Sequence, residues 1–237
     1  MDARVDGTGV TPRIGKAVEL NALWINALAV LAGLDADAEW QPATLERQAR
    51  TSFAARFRAP GGALFDVIDG PDGDDARVRP NQLLAYSLPH APLADIDGVR
   101  ALAASLLTPL GLRSLAPGTP GYRGRHRGGP AERDRAYHQG TVWPWLIGPW
   151  TDACRRAGIP TDGVLAGLDA HLAEWGLGSV SETTDGDAPH RATGCPFQAW
   201  SVAELLRVRA GETWCCSSTG NLLGQPPPAA VVRMRCV

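Results

Sequence analysis

The chain has 237 residues, of which 44% are hydrophobic and 20% charged, with 23 basic side chains against 25 acidic ones. That balance excludes a mainly disordered chain and a nucleic-acid partner recruited by bulk charge, and no apolar run reaches the roughly 18 residues that would span a bilayer. Charges in the first ten residues rule against a secretory signal there, and five cysteines without metal-ligand or disulfide spacing suit a reducing cytoplasm. Lys16 is the only lysine, and eight tryptophans outnumber four phenylalanines. Tryptophan offers a flat apolar face with a polar edge, as useful in a ligand site as in a core.

In chain order, Ala17 to Ala32 is apolar on nearly every turn and predicts a buried helix that stops at Gly33. Pro42 opens a second helix, with Leu45, Ala49, Phe53 and Phe57 at a spacing of four. Pro60 to Pro80 is Gly- and Asp-rich and reads as a loop around one strand-like piece, Leu64 to Ile68. A short helix is expected over Asn81–Ser87, and another capped by Asp95. Leu115 to Arg135 is a long loop, and Thr141 to Arg156 a helix whose start must accommodate Pro144 and Pro149. Pro160 to Trp175 is amphipathic, and a polar loop leads to a last helix from Pro196 to Arg207. After Glu212, paired cysteines and three consecutive prolines break the pattern, so a disordered or poorly packed tail is expected over 208–237.

Helices joined by long loops, with almost no strands, point to an all-α scaffold that builds a site from loops at one end. Loops beyond about 12–15 residues in compact domains are functional or disordered. The segment from Arg133 to Trp145 places Tyr137, His138, Gln139, Trp143 and Trp145 around Gly140. Its aromatic faces and fixed donors suit a sugar, and they suit a structural corner equally well. A second segment, Gly178 to Trp200, holds Glu182 in a loop of small residues, with Asp185 and Asp187 nearby and Gln198 and Trp200 following. One carboxylate there is a candidate general base, whereas Asp185 and Asp187 also read as a solvated turn. Glu19 and Asn21, in an otherwise apolar helix, must be paired or face a cavity. Asp2 alone would read as a frayed terminus. Phosphate-binding, zinc-protease, EF-hand and nucleophile-elbow patterns are all missing.

Five blocks occur in a fixed order: MDARV, TPRIGKAVELNALWINAL, RPNQLLAYSLP, GYRG with RDRAYHQGTVWPWLIGP, and GSVSETTDGD with GCPFQAWSVAELLR. Together they resemble the amylo-α-1,6-glucosidase family, the C-terminal glucosidase domain of glycogen debranching enzymes, over residues 1–207. The resemblance implies an (α/α)6 toroid of the six-hairpin glycosidase type, with the C-terminal half or so present. It also implies hydrolysis of α-1,6-glucosidic branch stubs with inversion, by an acid and a base. The family's acid lies in a Thr-Trp-Met-Asp-Ala motif, which makes Asp2 the acid, and Glu182 the base. Tyr137, His138, Gln139, Trp143, Trp145, Gln198 and Trp200 become the lining of the sugar site. Arg13, Glu19, Arg79, Asn81 and Gln82 are weaker carry-overs. No metal or organic cofactor is implied; the expected partner is a branched α-glucan such as glycogen or limit dextrin. Because the Thr-Trp half of the motif and a Gly-Arg-Asp block do not precede Met1, a missing N-terminal half or self-association is also expected. Two other readings are a non-catalytic glucan-binding fragment and another glucosidase of glucoamylase or trehalase type.

Overall fold

The computed structural model describes residues 4–35 and 39–211. Asp2 and all but the first few residues of the expected tail lie outside that range. Eight α-helices run in the order α1 (Val18–Leu34), α2 (Pro42–Arg56), α3 (Leu84–Ser87), α4 (Ile96–Leu106), α5 (Pro130–Tyr137), α6 (Ile147–Arg156), α7 (Ala166–His171) and α8 (Ala199–Arg209). Before and between them the described residues form ten short strands: β1 (Arg4–Val5), β2 (Thr8–Gly9), β3 (Lys16–Ala17), β4 (Val67–Gly70), β5 (Gly73–Asp75), β6 (Leu107–Thr108), β7 (Gly111–Arg113), β8 (Val142–Trp143), β9 (Thr183–Thr184) and β10 (Ala192–Thr193).

The expected all-α toroid is therefore corrected: the described residues form a mixed fold in which three antiparallel sheets accompany the helices. One sheet pairs β1 with β2, one has the order β3-β4-β5, and the third has the order β10-β9-β8-β7-β6. No strand among the described residues exceeds four residues, too short for an alternating pattern to show in sequence. Most of the strands lie in segments that read as loops, where backbone groups removed from water must still find partners; β4 begins within the expected strand-like piece and β8 lies where a helix was expected.

The helices follow local chemistry more closely. Asp95 caps α4 by accepting from the Gly98 N–H at 2.9 Å. Pro144 opens a 3-10 turn (Pro144–Leu146) and Pro149 sits in the first turn of α6, where the missing N–H costs no helical bond. The expected helix over Thr141–Arg156 thus splits into β8, this turn and α6, and the amphipathic stretch from Pro160 shortens to α7. Gly148 of α6 leaves room for the Glu204 carboxylate of α8, which a Cβ there would meet at 1.5 Å. Arg207 then clamps the pair, donating to Asp152 Oδ2 at 2.8 Å and to Glu204 Oε2 at 2.7 Å.

The core runs from α1 and α2 through α3 and α4 to α6 and α8. Helix α1 buries Val18, Ala22 and Ile25 in it, and Leu28 is buried further along the same helix. Its other face is also apolar and is uncovered: Leu20 is 63% exposed, Trp24 52% and Leu34 70%. No helix among the described residues is long and apolar enough to cross a membrane. The two faces of α1 should respond differently to truncation. Ile25→Ala, inside the core, should cost about 2–5 kcal/mol. Leu31→Ala, on the uncovered face, should stay within about 0.5 kcal/mol. Urea unfolding of both variants checks the contrast.

Candidate active site

The five-stranded sheet brings the two chemistry-bearing segments together. Val142 of β8 pairs with Thr184 of β9, two residues beyond Glu182, and Trp143 pairs with Leu112 of β7. Helix α5 ends at Tyr137, and the chain turns sharply through Gly140, whose φ of +140° and approach to Arg123 leave no room for a Cβ: one built there would lie 2.6 Å from the Arg123 carbonyl oxygen. Tyr137 and Trp143 thus face each other across that turn. The Trp143 indole N–H donates to the Tyr137 carbonyl at 3.2 Å.

Five of the expected sugar-site residues form one aromatic cluster. The Tyr137 ring meets His138 edge-on at 4.7 Å and Trp143 at 4.8 Å. His138 stacks on Trp143 at 5.6 Å with planes 6° apart. Trp200, at the start of α8, meets Trp143 at 6.1 Å and Trp145 at 5.6 Å. His138, Trp143, Trp145 and Trp200 line an apolar cleft of about 230 Å³, with Glu19 and Asn81 on its wall.

Glu182 sits across Tyr137 from that cleft. Its Oε1 accepts from the Tyr137 hydroxyl at 2.7 Å and its Oε2 from the Cys195 N–H at 3.0 Å. The Glu182 N–H in turn donates to the Cys195 carbonyl at 2.8 Å. Gly194 has φ +71°, and a Cβ on it would meet Glu182 Oε2 at 2.5 Å, so the carboxylate needs glycine beside it. Burial, together with the hydrogen bond to Glu182, pushes the Tyr137 phenol above its usual range and keeps it a donor. Glu182 opens into its own cavity of about 490 Å³, shared with His126, Arg133, Trp175 and Thr193. His126 is buried there, with Nδ1 3.2 Å from Thr193 Oγ1. Burial first, and the charge of Arg133 second, push its imidazole below the ordinary value.

Other expected residues fall elsewhere. Gln139 is buried and turned away from the cleft, its Oε1 accepting from Arg79 at 2.7 Å; it borders a separate cavity beside Val5 and Thr8. Gln198 leads into α8, its N–H donating to the Val180 carbonyl at 3.0 Å and its carbonyl accepting from Val202. Asp185 is buried, accepting from the His126 N–H at 2.9 Å and paired with Arg127, and Asp187 accepts from the Tyr122 hydroxyl at 3.0 Å. Asn21 is satisfied within α1 by the Ala17 carbonyl at 2.8 Å. Asp2 lies outside the described residues. Sequence reasoning missed His126 and the Cys195 N–H; the glycine before Cys195 was the only signal for the latter.

Beneath the cleft lies a buried charge network. Arg79 is fully buried and donates to the carbonyls of Ser114 at 3.1 Å and His138 at 2.7 Å. Desolvation lowers its guanidinium to about 10, against the pull of Asp66. Arg13 donates to Asp66 Oδ2 at 2.6 Å and, in a fork, to both oxygens of Glu19. Burial pushes the Glu19 carboxyl up, but the hydrogen bonds and charge of Arg13 together outweigh it and hold Glu19 below its ordinary value.

The profile of the amylo-alpha-1,6-glucosidase family matches residues 1–207. The chain belongs to that family. It is 25% identical over 258 aligned positions to the glycogen debranching enzyme of Saccharomyces cerevisiae, covering 83% of this chain and 17% of that protein. Among solved structures, it resembles an uncharacterized conserved protein from Thermus thermophilus (20% identity, TM-score 0.55, covering 81% of this chain and 46% of that one). It also resembles the GH63 mannosylglycerate hydrolase of the same organism, solved in complex with glucose (20% identity, TM-score 0.54, 81% and 47% covered). At that identity the likeness is one of fold, and it agrees with the mixed helix and sheet architecture. The chain spans less than half the length of each of these relatives.

The Arg13–Glu19 pair sets a pH signature. Glu19→Gln should cost on the order of 2 kcal/mol at pH 7, the worth of hydrogen bonds to a charged group. Because the folded carboxyl titrates below its unfolded value near 4.3, that contribution is full above the unfolded value and is lost as pH falls through the folded one. Denaturant titrations of wild type and variant from pH 7 to pH 3 should therefore show the gap between them narrowing at the acid end. A constant gap across that range contradicts the assignment.

Proposed function

We propose that the chain carries the catalytic base and part of the glucose subsite of a glycoside hydrolase of the debranching type. Its substrate on this reading is an α-1,6-glucosidic stub on a branched α-glucan, and its setting glycogen breakdown in the cytoplasm. Residues 1–207 form its part of the glucosidase domain. The observation that carries the proposal is the Tyr137 bridge: one hydroxyl fixes Glu182 while the same ring joins the aromatic cluster that lines the cleft. A carboxylate held by one phenol and one backbone N–H keeps a lone pair free to take a proton from water.

In this reading the reaction inverts the anomeric centre. Asp2 gives its proton to the glycosidic oxygen, and Glu182 takes one from the water that attacks the anomeric carbon from the opposite face. The leaving sugar departs as an alcohol, Asp2 ends ionised and Glu182 protonated, and exchange with solvent resets both. His138, Trp143, Trp145 and Trp200 present ring faces to the glucose unit. The chemistry calls on no metal.

Release of glucose from a branched limit dextrin tests this. Glu182→Gln should lower the rate about 10²–10⁴-fold while leaving dextrin binding intact. Trp143→Ala should weaken binding about tenfold. Unchanged release by Glu182→Gln refutes the base assignment. Binding without turnover by the wild-type chain favours the alternative of a non-catalytic glucan-binding protein.

The uncovered face of α1 supports the expectation of further polypeptide or self-association. Contiguous exposed apolar patches of this kind mark interaction surfaces. Sedimentation velocity should find the isolated chain self-associating, and Leu23→Glu with Leu31→Glu should shift it to monomer. A wild-type chain that is monomeric at high concentration contradicts self-association.

A further inference from the structure

The glycosidase reading leaves one charged feature unused, the arginine series Arg123, Arg125 and Arg127 in GYRGRHRG. The segment is anchored along its length. The Arg123 N–H donates to the Gln139 carbonyl at 2.5 Å, the Gly124 carbonyl accepts from the Asp187 N–H at 2.9 Å, and the His126 N–H donates to Asp185 at 2.9 Å. Burial alternates along it: Gly124 and His126 are buried, while Arg123, Arg125 and Arg127 are exposed and line one cleft. Arg135 of α5 completes the set, and the four arginines line a cleft of about 600 Å³.

Two carboxylates share that cleft, Glu132 and Asp187, and both are engaged. Glu132 accepts from the Gly129 N–H at 2.7 Å and Asp187 from the Tyr122 hydroxyl at 3.0 Å. Arg127 is paired with the buried Asp185. Arg123, Arg125 and Arg135 have no carboxylate partner among the described residues. Several guanidinium forks facing one concavity match the geometry of phosphate or carboxylate oxygens.

We propose that this cleft is an oxyanion site that takes the phosphate or carboxylate of an anionic sugar. Arg127 is the reason for a sugar instead of a free ion. It lines both this cleft and the cavity of Glu182, so an anion in the first places the body of the ligand toward the second. The placement of the sugar ring rests on the reading of Glu182 as part of the active site; the anion site does not.

Isothermal titration of the full chain at low ionic strength with glucose 6-phosphate, inorganic phosphate and glucose tests the proposal. Both anions should bind, with the sugar phosphate about tenfold tighter than phosphate, and both should weaken as salt rises. Arg123→Gln with Arg125→Gln should weaken both anions about tenfold or more, the loss expected for charge-assisted hydrogen bonds. These side chains are exposed, so the variant should keep the wild-type circular dichroism and melting curve. Glu182→Gln should leave inorganic phosphate binding unchanged, which separates failure of the anion site from failure of the glycosidase reading. Anion affinity that is absent, or unaltered in the arginine variant, overturns the site. Equal affinity for phosphate and glucose 6-phosphate overturns the sugar assignment.

Discussion

The candidate site depends on one buried cation. Arg79 has no exposed surface, and its guanidinium holds the Ser114 and His138 carbonyls and the Gln139 side chain together. Taking such a group out of water costs several kcal/mol, offset only where partners are well placed. Its counter-charge, Asp66, belongs to a second arginine as well, since Arg13 donates to both Asp66 oxygens and to Glu19. The network thus joins the start of α1, the approach to β4 and the turn after α5, three regions far apart in sequence. Loss of a single member would leave an uncompensated charge among buried residues, so the turn that presents His138 is fixed by the whole network.

With that turn fixed, the five-stranded sheet does the rest of the positioning. Its strands contribute only two or three residues each, little by way of core, but they set register. The single β8 to β9 pair, Val142 with Thr184, decides how far Glu182 lies from the aromatic turn. The β9 to β10 pairing and the Glu182–Cys195 exchange close the loop beneath the carboxylate. Small strands used this way act as clips between loops, which explains how segments lacking any hydrophobic period still adopt one arrangement.

Such clips also decide what could and could not be read in advance. Helices α1, α2 and α4 were legible because each carries its own signal: an uninterrupted apolar run, Pro42 with phenylalanines four apart, and Asp95 as a cap. Apart from β4, which begins within the strand-like Leu64–Ile68 piece, the strands were not, because two-residue pairings depend on partners as distant as Ile68 is from Lys16 and leave no local trace. Helix α5 was hidden inside a Gly- and Arg-rich stretch, where the stabilising feature is Glu132 reaching back to the Gly129 N–H. The aromatic residues of the site were legible as types but not as a geometry. Gln139 shows the limit: its place in the motif suggested a ligand contact, whereas its carbonyl oxygen serves Arg79. A polar residue beside a binding motif can as well be meeting the needs of a buried charge as those of a substrate.

Tyr137 joins the two sides of the site. Its backbone carbonyl holds the Trp143 indole, its ring packs on His138 and Trp143, and its hydroxyl holds Glu182. The ring is therefore fixed by aromatic contacts before it acts on the carboxylate, and the carboxylate is fixed by the ring and by the Cys195 N–H. A hydroxyl on a mobile side chain would orient Glu182 only at the cost of its own entropy, whereas here that cost is met by packing that the core requires in any case. Tyr137 thus touches the aromatic cleft through His138 and Trp143 and the carboxylate cavity through Glu182. The position of its hydroxyl, more than the identity of any other lining residue, sets where the Glu182 carboxylate stands relative to the cleft.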